Sequence, residues 1–227
     1  MVISTICITM KKILLRLLLV IGLIIAVLVI NFVIFGITAT RITQGVPISH
    51  AGSGNRALVV IDIQEGTTGG VSYVESYRLQ SDELIENLNL LTEEAEAEGW
   101  PIIYIISEVA NPLINILNNT LAKGSPGAEM DKRLEIRSDY IVTKRKNDSF
   151  TNPELDSILT RNRVDRLTLV GLDAAECVYQ TALAALNRGY RVQVVQEAII
   201  SKTEADKAEA LQDFRELGVE VVSGLPN

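Results

Sequence analysis

Three residues of unlike chemistry, Asp62, Lys144 and Cys177, each stand at or just past the end of a short apolar run. Asp62 follows Ala57-Leu-Val-Val-Ile, Lys144 follows Tyr140-Ile-Val-Thr, and Cys177 comes shortly after Leu167-Thr-Leu-Val-Gly-Leu. An acid, a base and a thiol are what nucleophilic acyl transfer needs: a thiolate to attack a carbonyl carbon, a carboxylate to move the proton, and a positive charge beside them. Each has a plainer reading by itself. Asp62 can cap a helix or brace a loop, Lys144 beside Arg145 and Lys146 can be solvated, and a lone cysteine is often a small core hydrophobe. Their weight comes from convergence on one rim of one sheet.

The elements that must position them read as follows. Strand-like runs rich in Val and Ile cover 57–63, 101–106, 140–143, 167–170, 191–195 and 219–222. They are continuously apolar rather than alternating, which suits parallel strands covered on both faces. Helical patterns lie between them over 81–98, 112–122, 152–162, 176–188 and 203–217, the first with Ser81 as N-cap, and Gly99, Gly189 and Gly218 each end a helix before a strand. The expected fold is α/β: a three-layer α-β-α domain with a doubly wound, mostly parallel, Rossmann-like sheet of six strands. Ligands of such sheets bind beyond the carboxyl ends of the strands, near the reversal of strand order. A helix starting at about Cys177 would set the thiol at the positive end of a helix dipole, which lowers a thiol pKa. No Gly-x-Gly-x-x-Gly follows the first strand, which argues against a dinucleotide-binding domain.

Composition bounds the rest. The chain has 227 residues, 48% hydrophobic and 22% charged, with a net charge of -7. That is room for one domain and an appendage, and the acidic balance excludes a nucleic-acid partner. Two cysteines cannot form a disulfide scaffold. The mean hydropathy is nevertheless positive, because the apolar residues are concentrated in Leu17–Ile37, 21 residues without a charge. This is long enough to span roughly 30 Å of hydrocarbon and exceeds the usual signal-peptide core of about 7 to 15 residues. A retained membrane anchor is therefore expected, with a cleaved signal peptide as the alternative. The expected organisation is a short basic tail over 1–16, a transmembrane helix over 17–37, a flexible linker over 38–56 and a catalytic domain over 57–227. Residues 1–41 hold Lys11, Lys12, Arg16 and Arg41 and no acid, leaving 17 basic and 28 acidic residues and a net -11 for the remainder. Three basic residues before the apolar run against one after it place the N-terminus in the cytoplasm and the domain outside.

Three segments carry a family resemblance. Ala57-Leu-Val-Val-Ile-Asp62-Ile-Gln64, Lys144-Arg-Lys-Asn-Asp-Ser149-Phe150 and Gly171-Leu-Asp-Ala-Ala-Glu-Cys177-Val-Tyr-Gln-Thr181-Ala182 resemble, in order and spacing, the isochorismatase-like cysteine hydrolases, which include nicotinamidases and N-carbamoyl amidohydrolases. The likeness spans about Arg56 to Val222. It implies an isochorismatase-like fold and hydrolysis of a C–N bond of a small amide or carbamoyl substrate through a thioester on Cys177. Asp62 and Lys144 would complete the triad, and a cis peptide after Leu172 would let the N–H groups of Asp173 and Cys177 form an oxyanion hole. Gln64 and Phe150 would border the substrate pocket, and a homo-oligomer is implied because family members commonly form dimers or tetramers. No cofactor is implied. The metal site of the nicotinamidases uses an Asp and two His beyond the first strand, whereas His50, the only histidine here, precedes that strand, so no metal is expected. The loop Glu65-Gly-Thr-Thr-Gly-Gly70 departs from the aromatic residues common in the family, and Glu176 beside the nucleophile is expected to face solvent. The competing reading is a non-catalytic binding or scaffold domain that keeps the fold.

Overall fold

A computed structural model describes residues 2–224, with side chains from Met10 onward, and divides the chain into two units, one up to Thr38 and one from Ala39. Met1 and residues 225–227, the ends of the expected tail and domain, lie outside the described residues.

The first unit is a single helix, α1 (Val2–Ala39), so the basic residues 11, 12 and 16 lie within it rather than on a separate tail. From Met10 to Ala39 it runs 30 residues with none of its most apolar stretch buried. At 1.5 Å per residue that is about 45 Å, more than the hydrocarbon core of a bilayer. Length and composition thus suffice to cross a membrane.

The second unit is a six-stranded, all-parallel sheet in the order β3-β2-β1-β4-β5-β6. Its strands are β1 (Asn55–Ile61), β2 (Ile102–Ser107), β3 (Ile141–Lys144), β4 (Val164–Leu172), β5 (Arg191–Ile200) and β6 (Glu220–Val222). Because strand side chains alternate, Ala57, Val59 and Ile61 of β1 face one layer and Leu58 and Val60 the other. The first layer is α4 (Pro153–Arg161), α5 (Tyr179–Asn187) and α6 (Glu204–Glu216), contributing Leu155, Leu159, Ala182 and Phe214. The second is α2 (Glu75–Ala97), contributing Leu84, Leu88 and Leu91. Burial on both faces is why these strands read as unbroken apolar runs. Gly99, Gly189 and Gly218 do close their helices in the left-handed conformation.

Two helices differ from their sequence pattern. α2 begins at Glu75, not Ser81; its apolar stripe continues one turn back to Tyr77, and Ser81 is buried inside the helix, its hydroxyl donating to the carbonyl of Arg78. α3 (Pro112–Leu117) stops well short of residue 122. It buries no residue, so nothing favours helix beyond Asn118, which turns extended.

The linker expected to be flexible is instead fastened to the domain over residues 42–52. The Thr43 N–H donates to Asp148 Oδ2 at 2.8 Å, the Arg188 guanidinium donates to Thr43 Oγ1 at 2.9 Å, and the Ile48 N–H donates to the Arg188 carbonyl at 2.9 Å. His50 Nε2 meets the Val164 carbonyl at 2.7 Å, and Ile42 and Ile48 pack against the core. Gly45, at φ 62°, lies so close to Arg188 that a Cβ would fall 2.3 Å from its Cζ. Gly45, one of the glycines that suggested flexibility, allows this close approach.

Removing this strap takes from Arg188, 3% exposed, its bonds to Thr43 and Ile48, and from the fully buried Asp148 the bond from the Thr43 N–H. A fragment starting at Arg56 should therefore be less stable than one starting at Arg41 by about 3 kcal/mol or more, from lost hydrogen bonds and two isoleucines returned to water. Urea unfolding of the two fragments checks this; equal midpoints would contradict it.

Candidate active site

Strand order places the three chemical residues together. Asp62 follows β1, Lys144 ends β3, and Cys177 follows β4, so all stand on the carboxyl rim, across the point where the order turns from 3-2-1 to 4-5-6. Lys144 is 1% exposed and Asp62 4%. The Lys144 ammonium has three protons and three acceptors: Asp62 Oδ2 at 2.8 Å, Ser107 Oγ at 2.7 Å and Cys177 Sγ at 3.2 Å. The negative charge of the Asp62 carboxylate also acts on the Cys177 thiol. Asp62 sits at φ 58°, a conformation that aspartate tolerates better than most residues, where the chain leaves the strand.

Ser107 was not among the residues singled out by sequence. It ends β2, opposite Lys144 in the ladder, and its hydroxyl donates to Asp62 Oδ1 at 2.9 Å. The signal was present, since β2 ends on this same rim, between the strands that carry Asp62 and Lys144.

Burial pushes the Cys177 thiol up to about 12; the Lys144 charge opposes this and the Asp62 carboxylate adds to it. The expectation of a lowered thiol pKa is therefore corrected. Desolvation and the carboxylate outweigh the Lys144 charge, and the thiol is held in its neutral form. Burial alone would lower the Lys144 pKa, but its contacts with Asp62 and Cys177 more than reverse this, and the ammonium stays charged.

The turn carrying the cysteine is π-helical, Ala174–Val178, before α5 begins. Asp173 caps it: Oδ1 accepts from the Ala175 N–H at 2.8 Å and the Ser201 hydroxyl at 2.7 Å, and Oδ2 accepts from the Tyr77 hydroxyl at 2.6 Å. Burial and Asp173 hold the Tyr77 pKa well above its ordinary value, so it remains a donor. The Leu172–Asp173 peptide is cis. Gly171, at φ 109°, is required where β4 passes β1, since a Cβ there would lie 2.1 Å from the Ile61 carbonyl oxygen.

Two expected pocket residues are corrected. Gln64 is fully buried, its amide donating to the Ser107 and Ala128 carbonyls at 3.0 and 2.9 Å and accepting from the Ser107 N–H at 2.8 Å. It braces β2 and has no surface for a ligand. Phe150 is a core residue, against Tyr190 and beneath the Arg188 guanidinium. Glu176 is exposed and turned to Asn147, whose amide donates to it at 3.0 Å. His50 lies at the amino end of β4, away from this rim. Among the described residues no three His, Cys, Asp or Glu side chains form a metal-binding group.

Comparison with known proteins gives the same outline. The family model described as the isochorismatase domain matches residues 56–224. A secreted isochorismatase effector of Verticillium dahliae is 30% identical over 165 residues, covering 70% of this chain and 80% of the relative. An N-carbamoylsarcosine amidase of an Arthrobacter species is 28% identical over 129 residues, covering 51% and 49%. The crystal structure of an isochorismatase family protein from Desulfovibrio vulgaris superposes with a TM-score of 0.67 at 26% identity, covering 74% of this chain and 94% of that one.

The electrostatics make a kinetic prediction. With the thiol pKa near 12, thiolate accumulates only at high pH. Iodoacetamide should then modify Cys177 at pH 7.5 at least about tenfold more slowly than a free thiol, with a rate still climbing at pH 10. Lys144→Met removes the one nearby positive charge and should slow it further. Mass spectrometry of the Cys177 peptide reads this directly, and a rate that levels off below pH 8 would contradict it.

Proposed function

The chain belongs to the isochorismatase family, and on that premise we propose that its folded unit is a cysteine hydrolase that cleaves a C–N bond of a small amide or carbamoyl compound. The observation that carries this reading is the Lys144 ammonium donating at once to a carboxylate, a hydroxyl and a thiol. The resting set is a carboxylate, an ammonium and a thiol. Asp62 takes the thiol proton as Cys177 attacks the carbonyl carbon. Negative charge moves from Asp62 to sulfur beside the same ammonium, so the number of buried charges does not change. This is how a thiol whose pKa is raised can still act as a nucleophile: its base is held by the same ammonium that holds the thiol.

The oxygen of the tetrahedral intermediate is received by the N–H groups of Asp173 and Cys177. Such donors are each worth about 3 to 4 kcal/mol of transition-state stabilisation. Asp173, capped onto Ser201 and Tyr77, holds the turn that presents them. Asp62 then gives its proton to the departing nitrogen, and the thioester remains. A water gives a proton to Asp62 and attacks the thioester carbon; the acid leaves, and the thiol regains its proton.

We also propose that α1 holds the enzyme in a membrane, with Lys11, Lys12 and Arg16 on the cytoplasmic side and the acidic domain outside. The apolar length of α1 and a secreted relative support that placement.

The test is release of ammonia from N-carbamoylsarcosine, nicotinamide and a series of simple ureido and amide compounds. At least one should turn over, and Cys177→Ala should lower turnover by about a thousandfold or more. Turnover unaffected by Cys177→Ala would contradict the thioester route. For the anchor, the full chain should stay with membranes through an alkaline wash, and a C-terminal reporter should be protected from cytoplasmic labelling; a chain released by the wash would contradict it.

A further inference from the structure

We propose that Ser107 is a positioning residue of this site, fixing the Asp62 carboxylate in the orientation from which it activates the water that releases the acyl group. The inference rests on the cysteine-hydrolase reading above and assigns a role to a fourth side chain.

The bond directions are settled by donor and acceptor chemistry. Ser107 Oγ accepts from the Lys144 ammonium at 2.7 Å, and an ammonium has no acceptor to offer in return. The single hydroxyl proton therefore points the other way, to Asp62 Oδ1 at 2.9 Å. Lys144 itself takes the other carboxylate oxygen, Oδ2, at 2.8 Å. Both oxygens are thus held by donors that cannot turn around, and the carboxylate plane is fixed. Ser107 is in turn held from behind, because Gln64 binds both its N–H and its carbonyl, at 2.8 and 3.0 Å. Asp62 and Gln64 stand two residues apart, so one short segment supplies both the base and the brace of the residue that orients it. This gives the buried amide of Gln64 a purpose that its distance from solvent denies it as a substrate contact.

Without the hydroxyl, Lys144 still holds Asp62 by one oxygen, and the charge pair survives. The carboxylate is then free to rotate about its Cβ–Cγ bond. Attack by Cys177 on an ester with a good leaving group needs little from that orientation. The second half-reaction needs a great deal, since a mobile water must be met at a fixed angle.

The experiment uses the full chain in detergent and p-nitrophenyl acetate. The acetyl group moves to Cys177 Sγ, the thiol proton passing through Asp62 to solvent, with release of p-nitrophenolate, seen as a burst. Water then attacks the thioester carbon, its proton passing to Asp62, and acetic acid leaves as the sulfur takes that proton back, seen as steady turnover. Ser107→Val should keep the burst rate within about threefold of wild type and lower steady turnover by roughly tenfold or more. Ser107→Thr, which retains the hydroxyl, should restore both to within about threefold. Ser107→Ala replaces the Val variant should the latter fail to match the wild-type melting temperature. Wild-type turnover in the variant lacking a hydroxyl, or a Thr variant as impaired as it, would overturn the assignment. Asp62→Asn separates the two levels: it removes the base of both half-reactions and should lose the burst and the turnover together. An Asp62→Asn chain that turns over normally, or a wild-type chain without a burst, would instead refute the hydrolase reading itself.

Discussion

A charged lysine almost fully removed from water is the constraint on which the rest of the site depends. An ammonium in a protein interior is tolerated only when its protons find acceptors and its charge finds an opposite. Lys144 has both, through Asp62, Ser107 and Cys177. Those three partners come from three other strand ends, so the requirements of one side chain tie four segments of the chain to one point. The same charge limits how far burial can raise the thiol, and in the proposed mechanism it receives the negative charge that sulfur acquires during attack.

The sheet makes that meeting a matter of register. β3, β2, β1 and β4 are neighbours in that order, and Lys144, Ser107, Asp62 and Cys177 follow the same sequence along the rim. Parallel pairing brings every carboxyl end to one side. The unusual backbone features gather there too: Asp62 with positive φ, Gly171 pressed against Ile61, and the π-helical turn capped by Asp173. The strap ties Thr43 and Ile48 to Arg188 and Asp148, so the folded unit includes more chain than its strands require.

Much of this was legible in the sequence, and the reasons are physical. Apolar runs without alternation could only be strands covered on both sides, and glycines at helix ends marked the stops, so the layers and the strand-end positions of Asp62, Lys144 and Cys177 followed from pattern. What pattern could not supply was partnership. Ser107 is one serine among many until the register sets it between Lys144 and Asp62. The family resemblance sets Gln64 and Phe150 at the pocket, yet the structure turns Gln64 behind β2 and Phe150 into the core. The thiol was misjudged for a related reason. A helix N-terminus is visible in sequence, but the desolvation that raises the thiol pKa is visible only in three dimensions. Glycines in 45–54 suggested freedom, when Gly45 is there to admit Arg188.

The balance of charge around sulfur can be read without any substrate. Carbon-13 labelling of the Cys177 β-carbon lets its chemical shift be followed by NMR as pH is raised, in the wild-type chain and in Asp62→Asn. With burial and Asp62 holding the thiol near 12, the wild-type signal should remain that of a thiol through pH 9. Removing the carboxylate while leaving the Lys144 ammonium should bring the thiolate signal in at markedly lower pH. A wild-type chain that already shows a thiolate at pH 7, or an Asp62→Asn chain that titrates no differently, would contradict the charge arrangement on which the mechanism stands.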